Sequence, residues 1–357
     1  MPILACKFGG SSTADAERFR QIKAILDSDP SRRCAVLSAP GTDEAHPDKV
    51  TALLSSCWRT RRDRRARKKA VDAVARRFDE IASELDIEGF YDVAKDEIDA
   101  ALHASEARAL SRGEYLCALL FSRYSGIPMA DAADVIAFDE GGGVNMERTL
   151  GALIALSRTR DRVVLPGFYG AEPSGRVRVF PRNGSDITGA LAAVGLGATV
   201  YENWTDVPGL MTADPAIVPG ARRIDRVGYA QMRALSRAGA QVLHPACLDP
   251  VERAGIPTRL RCTMEPDGPG TLIDGRVAEI APCLAGKREA ALPVRARGED
   301  AVASCVSVFG FPFRRVLAEA ELLGPIVVEP ASDCARVYVE PQAYEMALRA
   351  LHRRLLE

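Results

Sequence analysis

Short apolar runs, separated by longer stretches with helical spacing, set the rhythm of this chain. Runs of β character fall at residues 3–6, 34–38, 162–168, 198–202 and 257–261. Between them, residues 15–26 place Phe19, Ile22, Ile25 and Leu26 on one helical face, residues 186–195 form a small-residue helix suited to close packing on a sheet, and residues 228–237 read as another helix. Strands alternating with helices predict an α/β fold built on a largely parallel sheet. After about Asp274 the texture changes, with Gly275, Pro282 and Gly286 as punctuation. A strand at 292–297, a helix at 313–323, strands at 325–329 and 335–339 and a helix at 342–356 follow, so a small β-α-β-β-α domain is expected over 276–357, behind a larger one over 1–275.

Composition narrows the function classes. The 357 residues are 47% hydrophobic and 27% charged, and 47 Lys+Arg against 48 Asp+Glu leave a formal charge of -1, so any charge-based function must be local. One such place exists: eight of the eleven residues from Arg59 to Lys69 are basic, and the character continues through Arg76 and Arg77 to Asp79-Glu80. Without interleaved aromatics this run reads as a solvated helix within a helical insertion at about 55–110, and no nucleic-acid partner is expected. Nine cysteines without a Cys-x-x-Cys pair predict reduced thiols rather than a disulfide framework or structural metal. No stretch resembles a signal peptide or approaches ~18 uninterrupted apolar residues, so a cytoplasmic protein without a membrane partner is expected.

Three turns concentrate candidate chemistry. Lys7-Phe8-Gly9-Gly10-Ser11-Ser12 lies where the first strand gives way to a helix, so its N–H groups face the positive end of a helix dipole and form an anion seat. Lys7 adds a mobile cation; no Walker A pattern is present. Pro181-Arg182-Asn183-Gly184-Ser185-Asp186 again precedes a helix, and its Ser-Asp pair is equally suited to capping. Trp204-Thr205-Asp206-Val207-Pro208-Gly209, followed by Asp214-Pro215, puts carboxylates at the carboxyl end of a strand, the ligand-binding edge of open α/β sheets.

With Leu37-Ser38-Ala39-Pro40-Gly41, Lys49-Val50-Thr51, Ser111-Arg112-Gly113-Glu114-Tyr115-Leu116, Pro166-Gly167-Phe168-Tyr169-Gly170 and Gly239-Ala240-Gln241-Val242-Leu243-His244-Pro245, these motifs stand in one order over residues 3–273. In that set the chain resembles the aspartate kinases of the amino-acid kinase family. The resemblance implies a three-layer α/β fold with a mainly parallel central sheet, and transfer of the ATP γ-phosphoryl group to the side-chain carboxylate of L-aspartate, with Mg²⁺ accompanying ATP. It implies that Lys7 and Asp186 are catalytic, that Gly9, Gly10, Ser11, Thr205, Asp206, Met211 and Asp214 join Lys7 in contacting ATP, and that Arg182 grips the substrate α-carboxylate. Glu114 would meet its α-ammonium, with Ser38, Thr51 and Ser185 donating hydrogen bonds. No metal-ligating side chains are assigned, His244 is read as structural and Trp204 as core.

The chain departs from the resemblance at Ala216 and Gln241, where many members carry cations toward the phosphates, and at Asn183, which stands for a glycine but tolerates left-handed backbone. The C-terminal region suffices for one reduced ACT-like α+β module where members commonly carry two. Ordinary feedback inhibition is therefore not expected, whereas edge-to-edge pairing into a homodimer or larger homo-oligomer is.

Overall fold

The computed structural model describes residues 2–181, 183–240, 242–243, 245–292 and 302–357. In chain order it begins with β1 (Leu4–Phe8), α1 (Ala16–Ser28) and β2 (Arg32–Leu37), followed by four helices, α2 (Val50–Thr60), α3 (Arg64–Glu84), α4 (Phe90–Ala104) and α5 (Glu106–Ser125). Next come α6 (Ala132–Val135), α7 (Met146–Thr159), β3 (Val163–Pro166), a hairpin of β4 (Tyr169–Ala171) and β5 (Val177–Val179), α8 (Gly184–Gly195) and β6 (Val200–Thr205). Then follow β7 (Arg226–Val227), α9 (Tyr229–Ala238), α10 (Leu248–Arg253), β8 (Thr258–Cys262) and β9 (Thr271–Ile273). The chain closes with β10 (Cys283–Ala290), β11 (Ala303–Phe309), α11 (Phe313–Glu321), β12 (Val327–Pro330), β13 (Ala335–Val339) and α12 (Tyr344–Leu356).

These elements form two compact units, Met1–Asp206 with Ala246–Gly268, and Val207–Pro245 with Pro269–Glu357. The division expected at 275/276 does not follow that partition: residues 207–245 and 269–275 group with the C-terminal segment.

In the first unit β3, β2, β1, β6 and β8 pair in that order, all parallel. Every strand expected from an apolar run is present, displaced by one to three residues at its ends. Period-2 alternation splits the chemistry of β1 and β6 between two faces. Cys6, Phe8 and Trp204 join one apolar core with α1 to α5, and Phe8 stacks on Trp204 at 5.8 Å between ring centroids. Lys7 and Asn203, register partners, belong to the other face, which α8 covers.

The basic run forms the end of α2 and the start of α3. Arg59, Arg62, Arg64, Arg65, Lys68, Lys69 and Arg76 are exposed, as a solvated helix requires, while Arg61 stacks on Trp58 and Arg67 pairs with Asp99 at 3.6 Å. Arg77 corrects that reading: it lies on the inward face of α3 with a side chain only 5% exposed.

The second unit holds a parallel pair, β7 with β9, and an antiparallel sheet ordered β10-β11-β13-β12, backed by α11 and α12 over a core that includes Val306, Val316, Val337 and Leu351. The strand expected at 292–297 lies outside the described residues beyond Leu292; β10 and β11 flank it instead. Strand β10 has no alternation to reveal it, being buried at Cys283, Leu284 and Ala285 and polar from Lys287. Counting β11, β12 and β13 as first, second and third, the sheet runs 4-1-3-2, its fourth place filled from the N-terminal side by β10. A β-α-β-β-α-β unit fills that place with its last strand.

All nine cysteines are free, eight of them buried, and among the described residues no helix is long and apolar enough to cross a membrane.

Candidate active site

Lys7 is the fourth residue of β1 and Asp186 lies in the first turn of α8. Their side chains meet, Nζ to Oδ1 at 2.6 Å, with exposures of 10% and 13%. The pairing follows from how closely α8 approaches the sheet. A Cβ on Gly189 would stand 2.9 Å from Lys7 Cβ and 2.6 Å from the Tyr201 hydroxyl, so only glycine lets the helix down onto the strands there. Asn203, fully buried beside Lys7, donates from Nδ2 to Asp186 Oδ1 at 3.0 Å, and the Tyr201 hydroxyl donates to the Asp186 carbonyl at 3.2 Å. An acidic residue in the first turn of α8 also suits the helix dipole.

The turn that starts α8 is built from unusual backbone. Asn183 has φ 48° and Phe168, packed against Gly184, has φ 78°; Asn tolerates the left-handed region, whereas an aromatic residue there is an outlier. Ser185 is buried, and a Cβ on Gly167 would lie 2.6 Å from its Oγ. Arg182, the expected carboxylate grip, lies outside the described residues, as do Gln241 and His244.

The first glycine turn is held from several sides. Gly9 N–H donates to the Trp204 carbonyl at 3.1 Å, the Gly41 N–H donates to the Gly10 carbonyl at 2.8 Å, and the Thr13 hydroxyl lies 3.2–3.3 Å from the carbonyls of Gly9, Gly10, Ser38 and Ala39. Ser11 is half-buried in the short 3-10 helix Gly10–Thr13 that precedes α1. Ser38 follows β2 and its N–H donates to the Phe8 carbonyl at 3.1 Å, whereas Thr51, in the first turn of α2, is exposed.

Glu114 is buried on α5, whose close approach depends on Gly113: a Cβ there would lie 2.9 Å from Ala39 Cβ. Burial pushes its carboxyl up to about 8, against the opposing pull of its own and Ala39's backbone amides. Oε2 has no hydrogen-bond partner in the protein. A buried carboxyl with an unused oxygen is suited to receive a cation or a hydrogen-bond donor. Arg112 before it is structural: fully buried, it lies over Tyr115 and Tyr169 and 3.3 Å from Glu97.

Thr205 ends β6 and Asp206 is exposed beyond it, both in the first unit; Met211 and Asp214 lie in the second. Asp214 Oδ1 accepts from the Ala216 N–H at 3.0 Å, which is the turn-forming use of an aspartate.

Sequence reasoning missed two groups. Asn203 was detectable only as the register partner of Lys7. Glu202, one residue earlier and facing the other way, gathers Arg32 Nε at 2.9 Å, Arg261 at 3.0 Å, Trp204 Nε1 at 3.2 Å and Cys6 Sγ at 3.4 Å. Burial would push its carboxyl up, but bonds and charge from Arg32, then Arg261, hold it below the usual range. Burial with Glu202 close by raises the Cys6 thiol well above its ordinary value.

A mainly parallel α/β unit with two glycine-rich βα turns and a lysine–aspartate pair beside them offers backbone donors and a fixed cation, an arrangement suited to receiving an anionic group. Residues 2–262 match the model of the Amino acid kinase family, and the chain belongs to that family. It is similar to Aspartokinase 3 of Bacillus subtilis, 33% identical over 284 residues, covering 75% of this chain and 62% of that protein. It is also similar to the lysine-sensitive aspartokinase 3 of Escherichia coli, 32% identical over 297 residues, 76% of this chain and 64% of the other. The chain thus spans less than two thirds of these relatives. The crystal structure of Clostridium acetobutylicum aspartate kinase superposes with a TM-score of 0.83 at 27% identity, covering 99% of each chain. That of E. coli aspartokinase III, with a TM-score of 0.79 at 22% identity, shares the fold.

Proposed function

We propose that this protein is an aspartate kinase, transferring the ATP γ-phosphoryl group to the side-chain carboxylate of L-aspartate to give 4-phospho-L-aspartate and ADP. The observation that carries the proposal is the Lys7–Asp186 pair at 2.6 Å, set beside the first glycine turn and within the first turn of α8. Identity above 30% to two aspartokinases supports the choice of acceptor.

The acceptor carboxylate is already an anion near neutral pH, so no general base is needed, and the task is to bring two anions together and neutralise the charge that moves between them. In this reading the N–H groups of Gly10 and Ser11 receive phosphate oxygens, the Gly9 N–H being spent on the Trp204 carbonyl so that Gly9 shapes the turn by its backbone alone, and Lys7 supplies the cation at the transferring group. Asp186, itself held by Asn203, keeps the ammonium aimed. Glu114 receives the α-ammonium with its unused oxygen, Arg182 the α-carboxylate, and Ser38, Thr51 and Ser185 complete the amino-acid pocket. Thr205 and Asp206, at the end of β6, are proposed nucleotide contacts. Among the described residues no cluster of three or more His, Cys, Asp or Glu side chains is grouped to hold a metal, so the donor set suits Mg²⁺ brought in on the phosphates rather than a dedicated cage. That ion would supply charge neutralisation on the phosphate oxygens.

The test is Mg-ATP, L-aspartate and hydroxylamine, which traps an acyl phosphate as the hydroxamate. Hydroxamate formation that depends on aspartate and is lost in Lys7→Ala supports the reading; ADP release only with another carboxylate, or nucleotide binding without turnover, refutes it.

A further inference from the structure

The glycine turn proposed to seat the phosphates is soft by composition, since two adjacent glycines leave the backbone free, and an anion seat works only when its donors are already in place. One buried cation ties down the exit of that turn. The Arg77 guanidinium, reaching in from α3, donates from NH2 to the carbonyl of Ala14, the residue linking the turn to the Asp15 N-cap of α1. The same nitrogen bonds Asp43 Oδ2 at 2.6 Å, and NH1 bonds His46 Nδ1 at 2.7 Å. His46 Nε2 in turn lies 2.7 Å from Glu80, back on α3. Asp43 and His46 close the loop on themselves, through Asp43 N–H to the His46 carbonyl at 3.1 Å and His46 N–H to Asp43 Oδ1 at 2.7 Å. Two residues upstream, Gly41 lies on the Gly10 carbonyl so closely that a Cβ would come within 2.6 Å of it. Burial works against the charge of Asp43, but His46 and Arg77 outweigh it and hold its carboxyl below the usual range.

We propose that Arg77 is a positioning residue for the phosphate seat, its fork fastening the Gly9–Ser12 turn at Ala14 and the 38–49 loop at Asp43 to one helix, so that α3 sets the geometry in which ATP is received. This rests on the reading of the turn as a nucleotide site. It gives the one buried cation of the basic run a task its exposed neighbours do not share. A guanidinium suits that task because its planar donors address two acceptors at fixed angles, which a lysine ammonium on a flexible stem does not.

The test compares Arg77→Ala, Arg77→Lys, Asp43→Asn and the exposed control Arg76→Ala by calorimetric affinity for Mg-ATP, by KM and kcat, and by thermal unfolding. Loss of the clamp is expected to weaken ATP binding and raise KM for ATP about tenfold while kcat falls less, with Arg77→Lys intermediate, methylguanidinium restoring part of the loss in Arg77→Ala, and Arg76→Ala unchanged. Should Arg77→Ala not fold, Asp43→Asn, at the partly exposed end of the clamp, decides. Parent-like ATP affinity in folded Asp43→Asn and Arg77→Lys, whatever their melting temperatures, overturns the proposal. A parent that binds Mg-ATP but forms no hydroxamate sinks the aspartate reading and leaves the ATP comparison to judge Arg77; a parent that binds no Mg-ATP sinks both.

Discussion

Lys7 and Asn203 face each other across the parallel β1–β6 register, and both reach the same oxygen of Asp186, at 2.6 Å and 3.0 Å. A carboxylate gripped by two donors from neighbouring strands cannot swing away, so the ammonium it holds has a fixed address. Replacing Lys7 by Ala is expected to lower hydroxamate formation by about 10²–10³ with the fold intact, the loss typical when one preorganised donor is removed from a developing charge. Asn203→Leu, which frees Asp186 to rotate, is expected to lower kcat less while leaving KM for aspartate nearly unchanged. Initial rates beside circular dichroism check both, and near-parental turnover in Lys7→Ala would assign the pair a structural role alone.

Glu114 gives the site a pH dependence of definite sign. Its carboxyl titrates near 8 in the folded chain, so at neutral pH the ligand-free protein holds a proton there that an arriving α-ammonium must expel. Apparent affinity for aspartate is therefore expected to rise as pH increases toward 8, by up to about tenfold per unit, and to level off above it. The stability sign is opposite: the folded state binds this proton more tightly than the unfolded chain, so unfolding free energy falls as pH rises from the ordinary carboxylate range toward 8. Glu114→Gln should weaken aspartate binding, remove its pH dependence and stabilise the ligand-free protein at pH about 8 relative to pH about 5. Calorimetric titrations at several pH values and denaturant melts check both halves.

Glu202 carries the reverse sign. It is ionised against Arg32 and Arg261 in the buried layer beneath Lys7, and its depressed titration means stability present above the ordinary carboxylate range and lost as pH falls through its folded value. Glu202→Gln strands the buried Arg32 charge, and a cost of about 3–5 kcal/mol is expected at neutral pH, shrinking in acid. Urea denaturation at neutral and acidic pH measures it; an unchanged midpoint at pH about 7 would show that the two arginines find other partners.

The central sheet was legible because β1, β2 and β3 are buried on both faces over most of their length and read as apolar runs, whereas β6 holds the polar Glu202 and Asn203 and β8 alternates buried Thr258, Leu260 and Cys262 with half-buried Arg259 and Arg261; the turns were legible because glycine and asparagine sit where the backbone demands them, as Asn183 does at φ 48°. What escaped depended on neighbours far along the chain. Arg77 stands in a run of cations and looks like the others until α3 is docked, since only the 3.6-residue period combined with the position of Asp43 separates it from Arg76. Asn203 and Glu202 look alike in sequence as polar residues of a strand. Only the pairing of β6 with β1 sends one to Lys7 and the other to Arg32. Strand β10 escaped because its polar second half faces outward and leaves no apolar run to recognise.

Gly189 tests whether the separation of α8 from the sheet sets the rate. Its missing Cβ would lie 2.9 Å from Lys7 Cβ and 2.6 Å from the Tyr201 hydroxyl, both within the buried face, so neither neighbour has open space into which to retreat. In Gly189→Ala the helix must lift, carrying Asp186 with it. The conformational entropy of the unfolded chain favours alanine by about 0.5–1 kcal/mol, but overpacking of this kind costs about 1–3 kcal/mol, so a net loss of stability is expected and a modest one. The effect on rate should be larger, because a shift of about 1 Å between reacting groups can cost 10²-fold. Hydroxamate rates and melting temperatures for Gly189→Ala and Gly189→Ser, set beside Gly151→Ala on α7, where a Cβ meets nothing within 4 Å, separate the two effects. If the Gly189 variants lose stability and keep their rate, the lysine–aspartate distance is not what α8 is there to set.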